Sequence, residues 1–411
     1  MLNAGPNAVA EVIMQRLETL AALSLPGPGV TRLPFTDEHR QANDRLAGWM
    51  EEAGLEVALD AAGTLVGRRP GPEGARTLLV GSHQDSIRHG GRFDGAMGVV
   101  LPLTVLAHMQ DVELPFAVEL LAFADEEGVR FPTALMGPRA LAGTFDSEAL
   151  TLADADGVTL GDALAGFGGD PAGLASLARR SEKILGYLEV HIEQGPVLEA
   201  GGLPVGVVSG ICGIERWTVE LTGKAAHAGT TPMDLRKDAL TAAAEIALGV
   251  EACARVTEGL VGVVGRLDVS PNVVNAVPGK VVFNIELRAA DDGIRKVAAE
   301  HVGQRIETVC QERGIEADVQ RTYAQKGVVC DESLTRTLGS SIEQAGIEPL
   351  ALMSGATHDA SAMADLCPVS MLFVRCRDGV SHHPDEHVEA EDCAAAADVV
   401  ARFMTRLAHP L

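Results

Sequence analysis

The stretch Thr-Leu-Leu-Val-Gly-Ser-His-Gln-Asp, residues 77–85, sets an unbroken apolar run directly ahead of a histidine and an aspartate. A strand with one wet face alternates apolar and polar side chains, whereas a strand buried on both faces of a parallel sheet is apolar throughout. Thr77–Val80 therefore reads as a buried parallel strand. Three further runs read the same way: Val118–Phe123, Leu185–Val190 and Val369–Val374. Helical spacing lies between them, over Gly95–Met109 behind the turn residues Gly90, Gly91 and Gly95, and over Arg139–Leu150. Strands that alternate with helices argue for an α/β domain with a mostly parallel sheet.

From about Gly213 to Gln325 the pattern changes. Arg216–Leu221 and Val281–Arg288 alternate as half-exposed antiparallel strands do, and Asp238–Ala254 and Gly293–Gly314 have the spacing of long helices. This reads as an inserted α+β domain at residues 213–325, with the α/β domain assembled from residues 1–212 and 326–411. A chain of 411 residues is long enough for two apolar cores.

The balance of 57 acidic against 33 basic residues, a formal charge of −24, offers no basic surface for nucleic acid and repels anionic lipid. Neither is expected as a partner. The N-terminal MLNAGPNAVAEVIMQRLETL lacks a basic segment followed by a smooth apolar one, and reads as an amphipathic helix rather than an export signal. Gly95–Gln110, the longest uncharged apolar stretch, is too short to span a bilayer. Seven scattered cysteines without a C-x-x-C pair are expected to be reduced and packed, as in a cytoplasmic protein.

Each apolar run leads to side chains that bind metals. The first reaches His83 and Asp85, the second Asp125-Glu126-Glu127, the third His191, and the fourth Ser381-His382-His383. The carboxyl ends of parallel strands lie along one edge of a sheet, where ligands bind, so four distant segments are brought together. His83 and Asp85 are two apart and would share a face if the strand continued, with Asp85 holding the His83 ring. Asp94, in a glycine-rich loop, reads as a ligand or as the N-cap of the next helix. Adjacent Glu126 and Glu127 point in different directions, so one could bind a metal while the other faces water as a general base. Singly, a glutamate pair is usually a solvated turn and a strand histidine a hydrogen-bonded core residue. Their joint placement favours a site. Histidines and carboxylates without cysteine suit zinc, manganese, cobalt or nickel. His83, Asp94, Glu127, His191 and His382 suffice for two such ions if Asp94 bridges them.

Seven ordered motifs carry a resemblance over nearly the whole chain: GSHQDSIRHGGRFDGAMGV from Gly81, DEEGVRF from Asp125, LEVHIEQGPVLE from Leu188, GKAAHAGTTPMDLRKDA from Gly223, PNVVNAVPG from Pro271 with Arg288 beyond it, MSGATHDA from Met353 and GVSHHPDE from Gly379. The chain resembles the M20-type metallohydrolases, and among them the branch of N-carbamoyl-L-amino-acid hydrolases, allantoate amidohydrolases and β-ureidopropionases. The resemblance implies the same five ligands with Asp94 bridging, and Glu126 as general base. It also implies substrate contacts from Gln194, His227, Asn275, Arg288, Ser354 and Gly355. The inserted domain would act as a lid and pair two chains, so that His227 reaches a neighbouring site and polarises the scissile carbonyl. Thr357 stands where the family commonly has glycine, Glu286 where an aspartate usually precedes Arg288, and Gln84 where leucine is common. Thr357 lies beside His358 and Asp359 and bears on substrate identity.

The expected activity is hydrolysis of an N-carbamoyl-L-amino acid, a small ureido acid, to the amino acid, carbon dioxide and ammonia, with allantoate as the alternative substrate. β-Ureidopropionase and metallopeptidase activities rank below these, as does a catalytically silent binding protein. A nicotinamide-dependent enzyme is disfavoured because Gly90–Gly98 lacks the G-x-G-x-x-G spacing.

Overall fold

The computed structural model describes residues 5–408, which divide into two compact units: Gly210–Val329, and the sequence on either side of it. The flanking sequence builds a sheet whose order is Glu56–Leu59, Leu65–Arg69, Ala117–Phe123, Thr77–His83, Ile184–Ile192, Val369–Val374 and Val205–Ile211. The four central strands run parallel, and they are the four apolar runs of the sequence. The outer strands pair antiparallel. Every residue of Thr77–His83, Ala117–Phe123 and Val369–Val374 is buried, which is why these segments carry no alternation.

Helices Pro6–Ala21, Ala96–His108 and Ala390–Ala408 pack with one another over this sheet. Val9, Ile13 and Leu17 share one core with Met97, Val100, Val399 and Phe403. Burying side chains of this size contributes roughly 1.5–3 kcal/mol each. The helix expected over Arg139–Leu150 is instead a short helix, Met136–Ala142, and a separate 3-10 turn, Ser147–Thr151. Gly143 breaks the run by adopting φ 73°, a left-handed cap that glycine enters without steric cost, and Asp146 starts the turn by accepting the Glu148 N–H. The N-terminal amphipathic helix begins at Pro6, and residues 1–4 of that expectation lie outside the described residues.

In Gly210–Val329, the long strands Gly213–Thr222 and Lys280–Ala289 lie antiparallel, with Glu316–Gln325 on one side and Leu260–Val263 and Leu267–Ser270 on the other. Trp217, Val219, Phe283, Ile285 and Leu287 bury one sheet face under helices Ala239–Val256 and Asp292–Arg313, against Ile246, Val250, Val302 and Ile306. Asp238 and Asp291 cap these helices by accepting two backbone N–H groups each, an interaction worth about 1 kcal/mol. All seven cysteines are free thiols. Among the described residues, no helix is long and apolar enough to cross a membrane.

Candidate metal centre

Both strand-borne histidines are oriented by main-chain carbonyls. His83 Nδ1 lies 3.0 Å from the Asp85 carbonyl oxygen and His191 Nδ1 lies 3.0 Å from that of Ile192. A ring that donates from Nδ1 keeps its Nε2 lone pair for a ligand, as metal-binding histidines generally do. Those Nε2 atoms sit 3.6 Å (His83) and 3.1 Å (His191) from Asp94 Oδ1. The other oxygen, Oδ2, is 3.2 Å from His382 Nε2, which is itself 3.8 Å from Glu127 Oε1. The two oxygens of one carboxylate thus face two separate sets of donors. Ligand atoms of His83, Asp94 and His191 all lie within 4.8 Å of one another, as do those of Asp94, Glu127 and His382. Bonds of about 2.0–2.2 Å from a common ion give spacings of this order. The donor chemistry fits divalent cations.

The loops behind these candidate ligands correct two expectations. The strand ends at His83, so alternation does not carry Asp85 onto the face of its ring. The Asp85 carboxylate is 3.8 Å from His83 Nδ1, and instead accepts the backbone N–H groups of Glu126 at 3.2 Å and Glu127 at 3.3 Å. It orients the glutamate pair. Asp94 does not cap the following helix, whose N-cap is Gly95 at φ 65°. A Cβ there would lie 2.3 Å from the His83 ring, so glycine is required both by the dihedral and by the space. Gly95→Ala should displace the ring or the loop and weaken zinc binding by ~10–100-fold. Zinc titration of the apo-protein measures this, and wild-type affinity would show that the loop yields without effect.

Asp125, Gln194 and His382 adopt φ values of 58°, 56° and 56°. Left-handed non-glycine residues cost energy and cluster at functional sites.

The site packs the carboxylates of Asp85, Asp94, Glu126 and Glu127 against the rings of His83, His191 and His382. Burial raises Glu126 well above the usual range, and Glu127 adds to it against the opposing pull of His83. Burial and the Asp94 carboxylate push Glu127 up to about 7. Burial opposes the charged form of His83, but Asp94, Glu126 and Asp85 outweigh it and hold the ring well above its ordinary value. Hydrogen bonding to Asp94 lifts His382 to about 9. Asp94 is held well below the carboxylate range despite its burial, by the three histidines. Divalent ions would replace the protons these groups share, so ion binding releases protons and weakens as pH falls.

The Gln194 amide donates to Asp94 Oδ2 at 3.1 Å and to Ser381 Oγ at 3.0 Å. Ser354 is buried, with its Oγ 2.7 Å from His358 Nε2, and Gly355 follows at the surface. Within the inserted unit, the short strands Ala226–His227 and Ala276–Val277 pair, and the Ala228 N–H donates to the Asn275 carbonyl at 2.9 Å. His227 and Asn275 therefore sit side by side and exposed. Arg288 Nε donates to Glu286 Oε1 at 2.8 Å, and Glu286 also accepts from Arg216 Nε at 2.6 Å.

Two buried glutamates were not anticipated. Glu189, fully buried, accepts from Ser82 Oγ at 2.9 Å and from the Ala360 N–H at 2.8 Å. Its signal was visible as a lone acid inside the apolar run that ends at His191, since an unpaired charge is not buried without partners. Glu386 accepts the N–H groups of Phe93 and Asp94, at 2.9 and 3.0 Å. Glu386 closes the GVSHHPDE motif, but an acid in a proline turn reads as solvated and gives no sign of its burial.

The family model for "Peptidase family M20/M25/M40" matches residues 78–406. The chain belongs to this family. An N-carbamoyl-L-amino acid amidohydrolase of Geobacillus stearothermophilus is 42% identical over 402 residues, which cover 97% of this chain and 98% of that protein. An allantoate deiminase of Arabidopsis thaliana is 36% identical over 95% of this chain and 81% of its own length. Among solved structures, an amidase of the hydantoinase/carbamoylase family from Burkholderia multivorans superposes with a TM-score of 0.93 at 32% identity, over 98% of each chain. This M20 protein is accordingly an amidohydrolase, acting on non-peptide carbon–nitrogen bonds.

Proposed function

We propose that this M20 amidohydrolase cleaves N-carbamoyl-L-amino acids to the amino acid, carbon dioxide and ammonia, using two divalent ions held by His83, Asp94, Glu127, His191 and His382. The observation that carries the reading is Asp94, whose Oδ1 faces His83 and His191 while its Oδ2 faces His382. Zinc, manganese, cobalt or nickel bound there supplies Lewis acidity and lowers the pKa of water toward neutrality. Glu126 takes a proton from the attacking water and passes it to the amino nitrogen as the carbamoyl C–N bond breaks, and the carbamic acid released decomposes to carbon dioxide and ammonia. The Asp85 carboxylate holds Glu126 by its backbone N–H.

His227 Nδ1 accepts the Gly229 N–H at 3.1 Å, which leaves Nε2 as the ring nitrogen that carries an N–H. That N–H is the donor to the carbonyl oxygen as negative charge develops there. Arg288 binds the substrate carboxylate with help from Asn275, and Gln194, Ser354 and Gly355 line the substrate. The inserted unit pairs two chains in a homodimer, so that His227 serves its partner's site. Mixing inactive Glu126→Gln with inactive His227→Ala under subunit exchange should then restore partial activity. No recovery despite proven exchange removes the intersubunit role.

Allantoate is the second reading, supported by the plant relative's identity across most of this chain. It too joins ureido groups to a carboxylate. Ammonia release from N-carbamoyl-L-amino acids, N-carbamoyl-β-alanine and allantoate ranks the substrates, and the preferred one has the highest kcat/KM. Turnover of dipeptides with none of these ureido acids would overturn both readings. Chelation should abolish activity, and added zinc, manganese, cobalt or nickel should restore it to different extents. Full turnover in a metal-free sample would refute the two-ion chemistry.

A further inference from the structure

Glu386 lies outside the ligand set, yet it touches both segments that carry the Asp94 and His382 ligands. It is 1% exposed. Its Oε1 accepts the main-chain N–H groups of Phe93 and Asp94, and its Oε2 is 3.2 Å from the hydroxyl of Ser381, the residue before His382. The loop closes so tightly on this side chain that a Cβ on Gly91 would fall 2.2 Å from the Glu386 carboxyl carbon. His382 itself holds a left-handed backbone, φ 56°, that the surroundings must maintain.

The Ser381 hydroxyl has one proton and two carboxylates competing for it. Its oxygen accepts from the Gln194 amide at 3.0 Å and lies 3.2 Å from both Asp94 Oδ2 and Glu386 Oε2. A cation on Asp94 Oδ2 would turn that proton away, and Glu386 is placed to receive it. We propose that Glu386 is the positioning residue of the Asp94–Glu127–His382 half of the site: it clamps the Asp94 loop to the His382 turn and accepts the hydrogen bond of the Ser381 hydroxyl when Asp94 binds an ion. This rests on the two-ion reading. A glutamate that only stabilised the turn would change the melting temperature and leave ion affinity alone.

The test titrates zinc into apo-protein against a chromophoric chelator, for wild type, Glu386→Ala, Glu386→Gln, Glu386→Asp, His191→Ala and His382→Ala. Glu386→Ala should lose ~10–100-fold in affinity for one of two zinc ions, as supporting residues around metal ligands do, and its titration should resemble His382→Ala rather than His191→Ala. Glu386→Gln keeps the length and an oxygen for the two N–H groups but turns an amide N–H toward Ser381, so it should bind zinc more tightly than the alanine variant and more weakly than wild type. Glu386→Asp keeps the charge but cannot span both loops, so it should bind as weakly as the alanine variant, and it carries the test if Glu386→Ala does not fold. Wild-type zinc affinity in both short variants overturns the proposal. A wild-type protein that binds no zinc overturns the two-ion reading, and the proposal with it.

Discussion

Glu126→Gln is expected to keep its full complement of metal and lose roughly 10²–10⁴-fold in kcat, the usual contribution of a positioned general base. The expectation comes from the division of geometry between the two glutamates. Glu127 falls into a donor group with Asp94 and His382, whereas Glu126 groups only with His83 and Glu127 and joins neither Asp94-centred set. Its main chain is held by Asp85, so the amide variant should present the same shape without a group able to accept the proton. His191→Ala and His382→Ala should behave in the opposite way, lowering metal content and turnover together. Metal analysis beside kcat separates the cases. A Glu126→Gln protein that loses its metal would mean that the roles of Glu126 and Glu127 are exchanged.

Arg288→Ala is expected to cost on the order of 2–5 kcal/mol in kcat/KM, with metal content and folding unchanged, as does loss of a hydrogen-bonded charge partner in a closed site. A guanidinium meets a carboxylate through two parallel hydrogen bonds and its permanent charge favours acids over neutral ureas. Its side chain is 29% exposed, and Glu286, two residues earlier on the same strand face, accepts from its Nε. That pairing supports a second account, a strand ion pair worth only ~0–1 kcal/mol. Substrate preference separates the two. An anchoring Arg288 must, on removal, lose the discrimination between a carboxylated substrate and its amide. A variant that keeps both that preference and near-normal kcat/KM would make Arg288 a structural residue, holding Glu286 against Arg216.

The four parallel strands were legible because burial on both faces leaves a one-dimensional trace: an uninterrupted apolar run cannot face water on either side. The clustering of the candidate ligands was legible for a related reason, since parallel strands deliver their carboxyl ends to one edge regardless of the spacing between them in sequence. The inserted unit showed itself by the return of alternation in Arg216–Leu221 and Val281–Arg288, which bury one face under two helices. Family membership was also within reach of the sequence, because seven motifs in order leave little to chance.

What the tertiary structure decided lies one step past the strand ends. Asp85 is two residues from His83, and along a continuing strand it would have faced the ring. The strand stops, and its carboxylate turns to the Glu126 and Glu127 amides instead. Gly95 rather than Asp94 caps the helix, because the loop needs φ 65° and room for the His83 ring. Glu386 meets Phe93 and Asp94 across 292 residues or more of sequence. Periodicity and residue type record what each segment buries, and so the sequence by itself determined the sheet and the insertion, and brought the candidate donor residues to one edge. Which oxygen faces which ring, and which carboxylate holds which loop, depends on contacts between segments remote in the chain, and those exist only once the sheet has brought the loops together.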